Sequence, residues 1–186
     1  MDKDEYLRAV TIGEIKPLAS RITLADYDPD WPRQFEREEA CVRAVLGERV
    51  LQLEHAGSTS VPGLLAKPVI DMLLTVADSS DESAYVPDME RAGYVLRTRE
   101  PDWYQHRVLK GPATNINLHV FTAGCPEIER MLRFRNWLRA HPNDRDVYAG
   151  AKRELAVREW KYVQNYADAK TAVIEEILAR ASTTNE

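Results

Sequence analysis

Cysteine is almost missing from this sequence. Cys41 and Cys125 are the only two, and neither sits in a C-x-x-C pair. Neither a disulfide framework nor a cysteine-rich zinc site is expected, and a reducing cytoplasm is the simplest setting. Long apolar runs are missing too. No stretch approaches the roughly 18 residues of a membrane span, and the N-terminal MDKDEYLRAV begins acidic, without an apolar core of signal-peptide length. The expectation is a soluble protein with no membrane partner. Positive charge is in deficit, with a formal net charge of -5. Broad, sequence-independent nucleic-acid binding needs a dense basic surface to displace counterions, so at most a local basic cleft remains. Both glycine-rich phosphate signatures are absent as well. There is no G-x-G-x-x-G, and the P-loop spacing fails because Gly57 and Gly63 are six apart and Lys67 comes four residues after the second.

What is present is a chain of 186 residues, 44% of them hydrophobic, enough for one domain with a full core. Residues 1–20, broken by Gly13 and Pro17, read as a helical turn and an extended lead-in that carry no chemistry; the domain itself spans 21–182. Ile22 and Leu24 mark a short strand. Asp30 is a candidate N-cap for a helix over about 31–46, with Pro32 in its first turn and Gly47 at its end. Residues 49–56 alternate as a strand that runs into Gly57. After Pro68, residues 69–76 form an apolar run of strand length, read as a central strand buried on both faces. Ser79 and Ser80 are candidate caps for a helix over 81–92, followed by a strand at 94–97. Residues 103–109 and 115–121 flank KGPAT as an antiparallel hairpin. From Pro126 the pattern is helical, over about 126–140, 143–165 and 168–182, with HPND between the first two, Asp168 as a candidate cap of the third, and a frayed tail at 183–186. This order predicts an α+β (α/β) domain: a small mixed β-sheet flanked by helices, with a helical C-terminal part at 126–182.

Chemistry concentrates in HAGSTSVPGLLAKPVIDMLLTV, residues 55–76. Gly57, Ser58, Thr59 and Ser60 form a small-residue turn between a strand and a helical piece, able to aim N–H groups and hydroxyls at a phosphate. A plain polar turn is the competing reading. Asp71 sits inside an apolar strand, where an ionised carboxylate is costly without a cation or hydrogen-bond donors. It is the leading candidate for a divalent-metal ligand, against the alternative of a carboxylate satisfied by the backbone or by Lys67. On the hairpin, Asn115, Asn117, His119 and Phe121 share one face. His119 could then approach Asp71, and His55 could reach the same place, giving two imidazoles and a carboxylate for a metal or a base. Strand order decides whether the three meet. The helical end adds Arg133 and Arg135 around Phe134, and Tyr-x-x-x-Lys at Tyr148/Lys152 and at Tyr166/Lys170. Four-residue spacing puts each pair on one helical face, fit to hold a phosphate or, equally, to form a solvated stripe.

These residues resemble the GrpB family, whose members look like small nucleotidyltransferase-fold proteins. The resemblance runs from about Ile22 to Ala181 and rests on YDPDW at 27–31, HAGSTSVPGLLAKPVID at 55–71, LHVF at 118–121, FRNWLRAHP at 134–142, and the two Tyr/Lys pairs. It implies a turn at Gly57 and Ser58 that binds a triphosphate and a first metal-holding carboxylate at Asp71. The second carboxylate of the wider superfamily falls on Leu73, and His119 stands where a later strand often supplies a third acid. Two-metal transfer needs several anionic ligands to bring two cations within about 4 Å, so the residues fit a single metal better. Glu54, Glu100 and Asp102 are possible replacement acids, although Glu54 should point away from His55 in a regular strand.

The implied function is a nucleotide-dependent, metal-assisted transferase. Asp71 and His119 would be catalytic, Mg2+ or Mn2+ would be held by Asp71 with His55 or His119, and phosphates would be bound by Gly57, Ser58, Thr59, Ser60 and Lys67 together with Arg135, Tyr148, Lys152 and Lys170. The ligand would be a nucleotide or another phosphorylated small molecule. A non-catalytic binding module for the same ligands is the alternative, and a single-metal His/Asp enzyme of another class is a second.

Overall fold

The computed structural model describes residues 2–18, 20–112 and 115–183. Its centre is the apolar run of the sequence, now strand β2 (Ile70–Val76), in which every residue except Asp71 is buried. Such a run needs cover on both faces. β1 (Gln52–Ala56) pairs with it antiparallel, and β5 (Ile116–Thr122) pairs with it in parallel on the other side. β4 (His106–Lys110) and β3 (Val95–Glu100) extend the sheet antiparallel, completing a mixed five-stranded order β1-β2-β5-β4-β3. The expected β4–β5 hairpin is therefore present, although Ala113 and Thr114 of its turn lie outside the described residues.

Helices α2 (Trp31–Leu46) and α3 (Val86–Arg91) cover one face, burying Val42, Leu46 and Met89 against Met72, Leu74 and Leu118. The other face is covered at one end only. There Ala56, Leu73 and Phe121 pack on Ile128 of α4 (Pro126–Ala140). A second cluster holds the C-terminal helices to the loop before β2: Leu64 and Leu65 meet Leu138 of α4, Tyr148 of α5 (Pro142–Ala156) and Ile177 of α7 (Thr171–Thr183). The rest of that face stays open as a cleft between α4, α6 (Val163–Ala169) and the N-terminal helix α1 (Lys3–Val10).

Several boundaries differ from the sequence reading. The helix expected over 143–165 stops at Ala156, because Trp160 folds back to donate to the Leu155 carbonyl (2.8 Å) and the Lys161 carbonyl is needed by the Leu18 N–H. The helix expected over 81–92 splits into a one-turn piece at Glu82–Ala84 and α3, with Pro87 in the first turn of α3. Ser79 caps neither, since its hydroxyl donates to the Gln105 carbonyl at 2.9 Å. Asp30 makes no capping bond and accepts from Gln34 instead. Asp168 falls inside α6, paired with Lys3, rather than capping α7. The strand near Ile22 shrinks to a single bridge between Ala25 and Ala66. The expected frayed tail overlaps residues 184–186, which lie outside the described residues.

Leu118 is fully buried in the middle of the sheet. Leu118→Ala is expected to destabilise the domain by about 2–5 kcal/mol, the usual range for such a cavity, measured as a shift of the urea unfolding midpoint at unchanged slope.

Candidate functional site

Pairing residues share a sheet face, so the register decides which side chains can meet. Asp71 pairs with Ala56 on one side and Asn117 on the other, while Leu73 pairs with His119. Asp71, Asn117 and His119 therefore project into the open cleft. Asn117 Nδ2 donates to Asp71 Oδ1 at 2.7 Å, and His119 Nε2 lies 3.5 Å from the same oxygen. Burial pushes the Asp71 carboxyl up, but the His119 and Asn117 contacts and the Lys170 charge together hold it below its ordinary range. Gly57 closes over this carboxylate with φ of 65°. A Cβ there would stand 2.9 Å from Asp71 Cβ and closer still to Oδ2, so both the backbone angle and the close approach require glycine.

The same register separates His55 from the site. His55 pairs with Met72 and faces α2, stacked on Phe35 (4.9 Å between ring centres) with Nε2 3.0 Å from the Thr59 hydroxyl. The expectation that His55 joins Asp71 and His119 around a metal is thus corrected, because adjacent strand residues point to opposite faces. Glu54 does share the Asp71 face but is paired with Arg135 at 2.8 Å, and Asp102 lies in an exposed turn. Leu73, two residues after Asp71 on the same strand, is fully buried.

In the turn, Ser58 and Thr59 both line the cavity beside Asp71, and the Ser58 side chain meets the buried Tyr148. The Thr59 hydroxyl donates to the Val69 carbonyl at 3.1 Å, and the Ser60 hydroxyl donates to the Gly57 carbonyl at 2.6 Å. Both fix the turn instead of presenting donors to a ligand. Arg135 lies on the far side of the turn, held by Glu54 and the His55 carbonyl. Lys67, Lys152 and Lys170, by contrast, converge with Asp71 on a small polar cavity of about 90 Å³. Lys152 donates to the Leu65 carbonyl and lies over the Tyr148 ring; Lys170 lies over the Tyr166 ring. Burial lowers all three ammonium pKa values, that of Lys152 to about 7. Tyr166, 2% exposed, also lines this cavity, and its buried hydroxyl has no hydrogen-bond partner among the described residues.

Sequence reasoning missed the other half of the site. His106, almost fully buried, places Nδ1 2.6 Å from Glu100 Oε2 and Nε2 3.0 Å from His119 Nδ1. Tyr6 of α1 donates to the other oxygen of Glu100 at 2.6 Å. Glu100 is thus in the cleft, but it serves His106 and not Asp71. Burial takes the His106 pKa down to about 4, which keeps the imidazole neutral near pH 7. A main cleft of about 820 Å³ joins these groups to Asp71, with Trp103, Phe121 and Met131 on its walls. The available clue was alternation on the hairpin, which puts His106 and His119 on one face of neighbouring strands.

The GrpB protein family profile matches residues 21–180. The chain belongs to the GrpB family. A UPF0157 protein of Halalkalibacterium halodurans is 61% identical over 181 residues, 97% of this chain and 93% of that one. The crystal structure of conserved protein GrpB from Enterococcus faecalis is similar at a TM-score of 0.77 and 32% identity, over 88% of this chain and 99% of that one. A protein of Mycolicibacterium paratuberculosis named dephospho-CoA kinase is 27% identical over 86% of this chain, which spans 46% of its length. Helix α1 precedes the span matched by the family profile, yet it supplies Tyr6 to the site. Among the described residues, no helix is long and apolar enough to cross a membrane, and no set of three His, Cys, Asp or Glu side chains forms a complete metal cage. A cation held here would have Asp71 and His119 as its protein ligands and would need the rest of its shell from elsewhere.

Gly57→Ala is expected to cost about 1–3 kcal/mol of backbone strain and to displace Asp71; urea unfolding and a crystal structure of the variant check both. Burial also holds His55 down to about 4 from 6.5. Between those values the unfolded chain takes up a proton that the native state refuses, so stability is full above pH 6.5 and falls toward pH 4. His55→Phe should flatten that acid limb, read as a smaller drop in the urea midpoint from pH 6.5 to 4 than the parent shows.

Proposed function

We propose that this GrpB-family chain is a nucleotide-dependent transferase of nucleotidyltransferase-like fold, assisted by a single divalent cation. The observation that carries the reading is the convergence of Lys67, Lys152 and Lys170 on the cavity beside Asp71. None of the three has a carboxylate at salt-bridge distance among the described residues. Burying several ammoniums around one carboxylate leaves an uncompensated positive field, which a phosphate group would neutralise. The unpartnered Tyr166 hydroxyl would supply one further donor.

In this reading Lys67, Lys170 and Ser58 bind the phosphates, and Gly57 lets them approach the backbone. Thr59 and Ser60 shape the turn, Tyr148 and Lys152 wall its far side, and Arg135 holds β1 in place through Glu54. Asp71 and His119 would hold the cation, Mg2+ or Mn2+, which when bound would neutralise phosphate charge and polarise the phosphorus–oxygen bonds. The main cleft, walled by Trp103 and Phe121, would receive the acceptor, with His119 also available to orient a hydroxyl. The name of the mycobacterial relative, dephospho-CoA kinase, fits a setting in which phosphorylated nucleotides are handled. A reducing cytoplasm suits such a ligand.

One observation favours a second reading, a nucleotide or phosphometabolite binding module without catalysis. Leu73 is fully buried where a second carboxylate would be needed for two-cation chemistry.

Equilibrium binding of labelled nucleoside triphosphates, with pyrophosphate release measured in parallel, separates the readings. Lys67→Met and Lys170→Met should each weaken binding by about tenfold, the scale of one charge-assisted hydrogen bond. Asp71→Asn should abolish cation-dependent turnover. Binding that persists in Asp71→Asn without metal, with no pyrophosphate release from the parent, selects the binding module. No nucleotide binding at all removes both readings.

A further inference from the structure

A recess of about 180 Å³ lies on the far side of the Gly57–Ser58 turn, between that turn and helices α4, α5 and α7. Its walls are largely apolar: Val61 after the turn, Phe134 and Leu138 of α4, and Ile174 of α7. Arg130 and Arg135 stand among them, and no carboxylate among the described residues does. We propose that this recess is the base subsite of the nucleotide: a planar heteroaromatic ring enters it while the phosphates lie across Gly57 and Ser58. The inference rests on the proposed function for the phosphates and places the part of the ligand that the lysine cavity does not accommodate.

Position ties the recess to the site. Gly57 and Met131 line both the recess and the main cleft, and Ser58 lines both the recess and the lysine cavity. A ligand crossing this turn meets lysines on one side and aliphatic and aromatic side chains on the other. Size sets a limit as well. The recess falls below the roughly 300–1,000 Å³ of a drug-sized pocket, so it takes one ring system and not a whole nucleotide. Its walls are fixed by the core: Val61, Leu138 and Tyr148 are buried in the cluster that ties the C-terminal helices to the loop before β2, and Phe134 meets Tyr148 edge to face at 5.1 Å. A preformed recess needs little ordering when the ligand arrives.

The arginines argue for a base over a purely aliphatic group, which would fill the walls and leave both guanidiniums unused. Arg135 donates through Nη1 to Glu54 and to the His55 carbonyl and through Nε to Asn136, and none of these bonds occupies Nη2. Arg130 is held by Glu127 through Nη1 and by Glu175 through Nη2, and neither bond occupies Nε. Both guanidiniums are thus oriented without the ligand. Arginine only donates, so the recess favours a ring whose edge accepts, with an oxo group in place of an amino group. Partly buried Phe134 supplies an aromatic surface on which such a ring stacks.

Equilibrium binding of inorganic tripolyphosphate and of ATP, ITP, CTP and UTP to the full-length protein, each with Mg2+, tests the subsite. The nucleotides should bind about tenfold or more tightly than tripolyphosphate. ITP should bind more tightly than ATP, and UTP more tightly than CTP, each pair exchanging an oxo group for an amino group. Phe134→Leu should narrow the gap between nucleotide and tripolyphosphate by about tenfold, and Ile174→Phe, which fills the recess from α7, should close it. Tripolyphosphate affinity should keep its parent value in both variants, which also reports that they fold. Equal affinity of the parent for tripolyphosphate and for all the nucleotides overturns the base subsite and leaves the phosphate site standing. A base-dependent gain that survives both variants also overturns it, because the base then binds elsewhere. Equal affinity within both pairs refutes the part given to Arg130 and Arg135. No binding of tripolyphosphate or of any nucleotide overturns the proposed function and the subsite together.

Discussion

The parallel pairing of β2 with β5 is the constraint on which the site depends. It sets Asp71 opposite Asn117 and Leu73 opposite His119, so a carboxylate, a carboxamide and an imidazole share one patch of sheet. A slip of β2 by one residue would send Asp71 into the apolar layer under α2, away from Asn117 and His119. The buried residues on either side of Asp71 forbid that slip. Ile70 and Met72 belong to the layer beneath, and moving them into the cleft would expose two of the largest apolar groups of the core.

Around that patch, charge is distributed unevenly. The tail helices bring Lys152 and Lys170 to one side of Asp71, while the hairpin and β3 bring His106 and Glu100 to the other. One side carries three lysines and a tyrosine hydroxyl without a hydrogen-bond partner among the described residues. The other carries a series of contacts from Glu100 through His106 to His119. In the proposed function, a phosphate bridged to a divalent ion would answer both sides at once.

Much of this was legible in the residues. The apolar run at 69–76 with a lone aspartate, the Gly-Ser turn before it, and the hairpin with a polar face led to the correct sheet type and to Asp71, His119 and His55 as candidates whose meeting strand order would decide. The family followed from the length of the motif at 55–71. The reading failed where local pattern and long-range contact disagree. Helical periodicity continues past Ala156, but Trp160 and Lys161 turn their groups toward partners more than four residues distant in sequence or in another segment. Residues 1–20 looked inert because a short charged helix has no signature of its own, and Tyr6 acquires a role only when α1 reaches β3 through the Thr11–Thr98 bridge.

The sequence by itself determined the alternation of faces and the small-residue turn at Gly57–Ser60, and the family resemblance implied the absence of a second carboxylate at Leu73. These follow from covalent geometry and from the identity of residues at fixed spacing. Only the tertiary structure decided that His55 faces away from Asp71, that His106 and Glu100 stand behind His119, and that the lysines of three separate segments converge. Those outcomes depend on strand order and on which segments lie side by side, and a pattern with a period of a few residues carries no information about either.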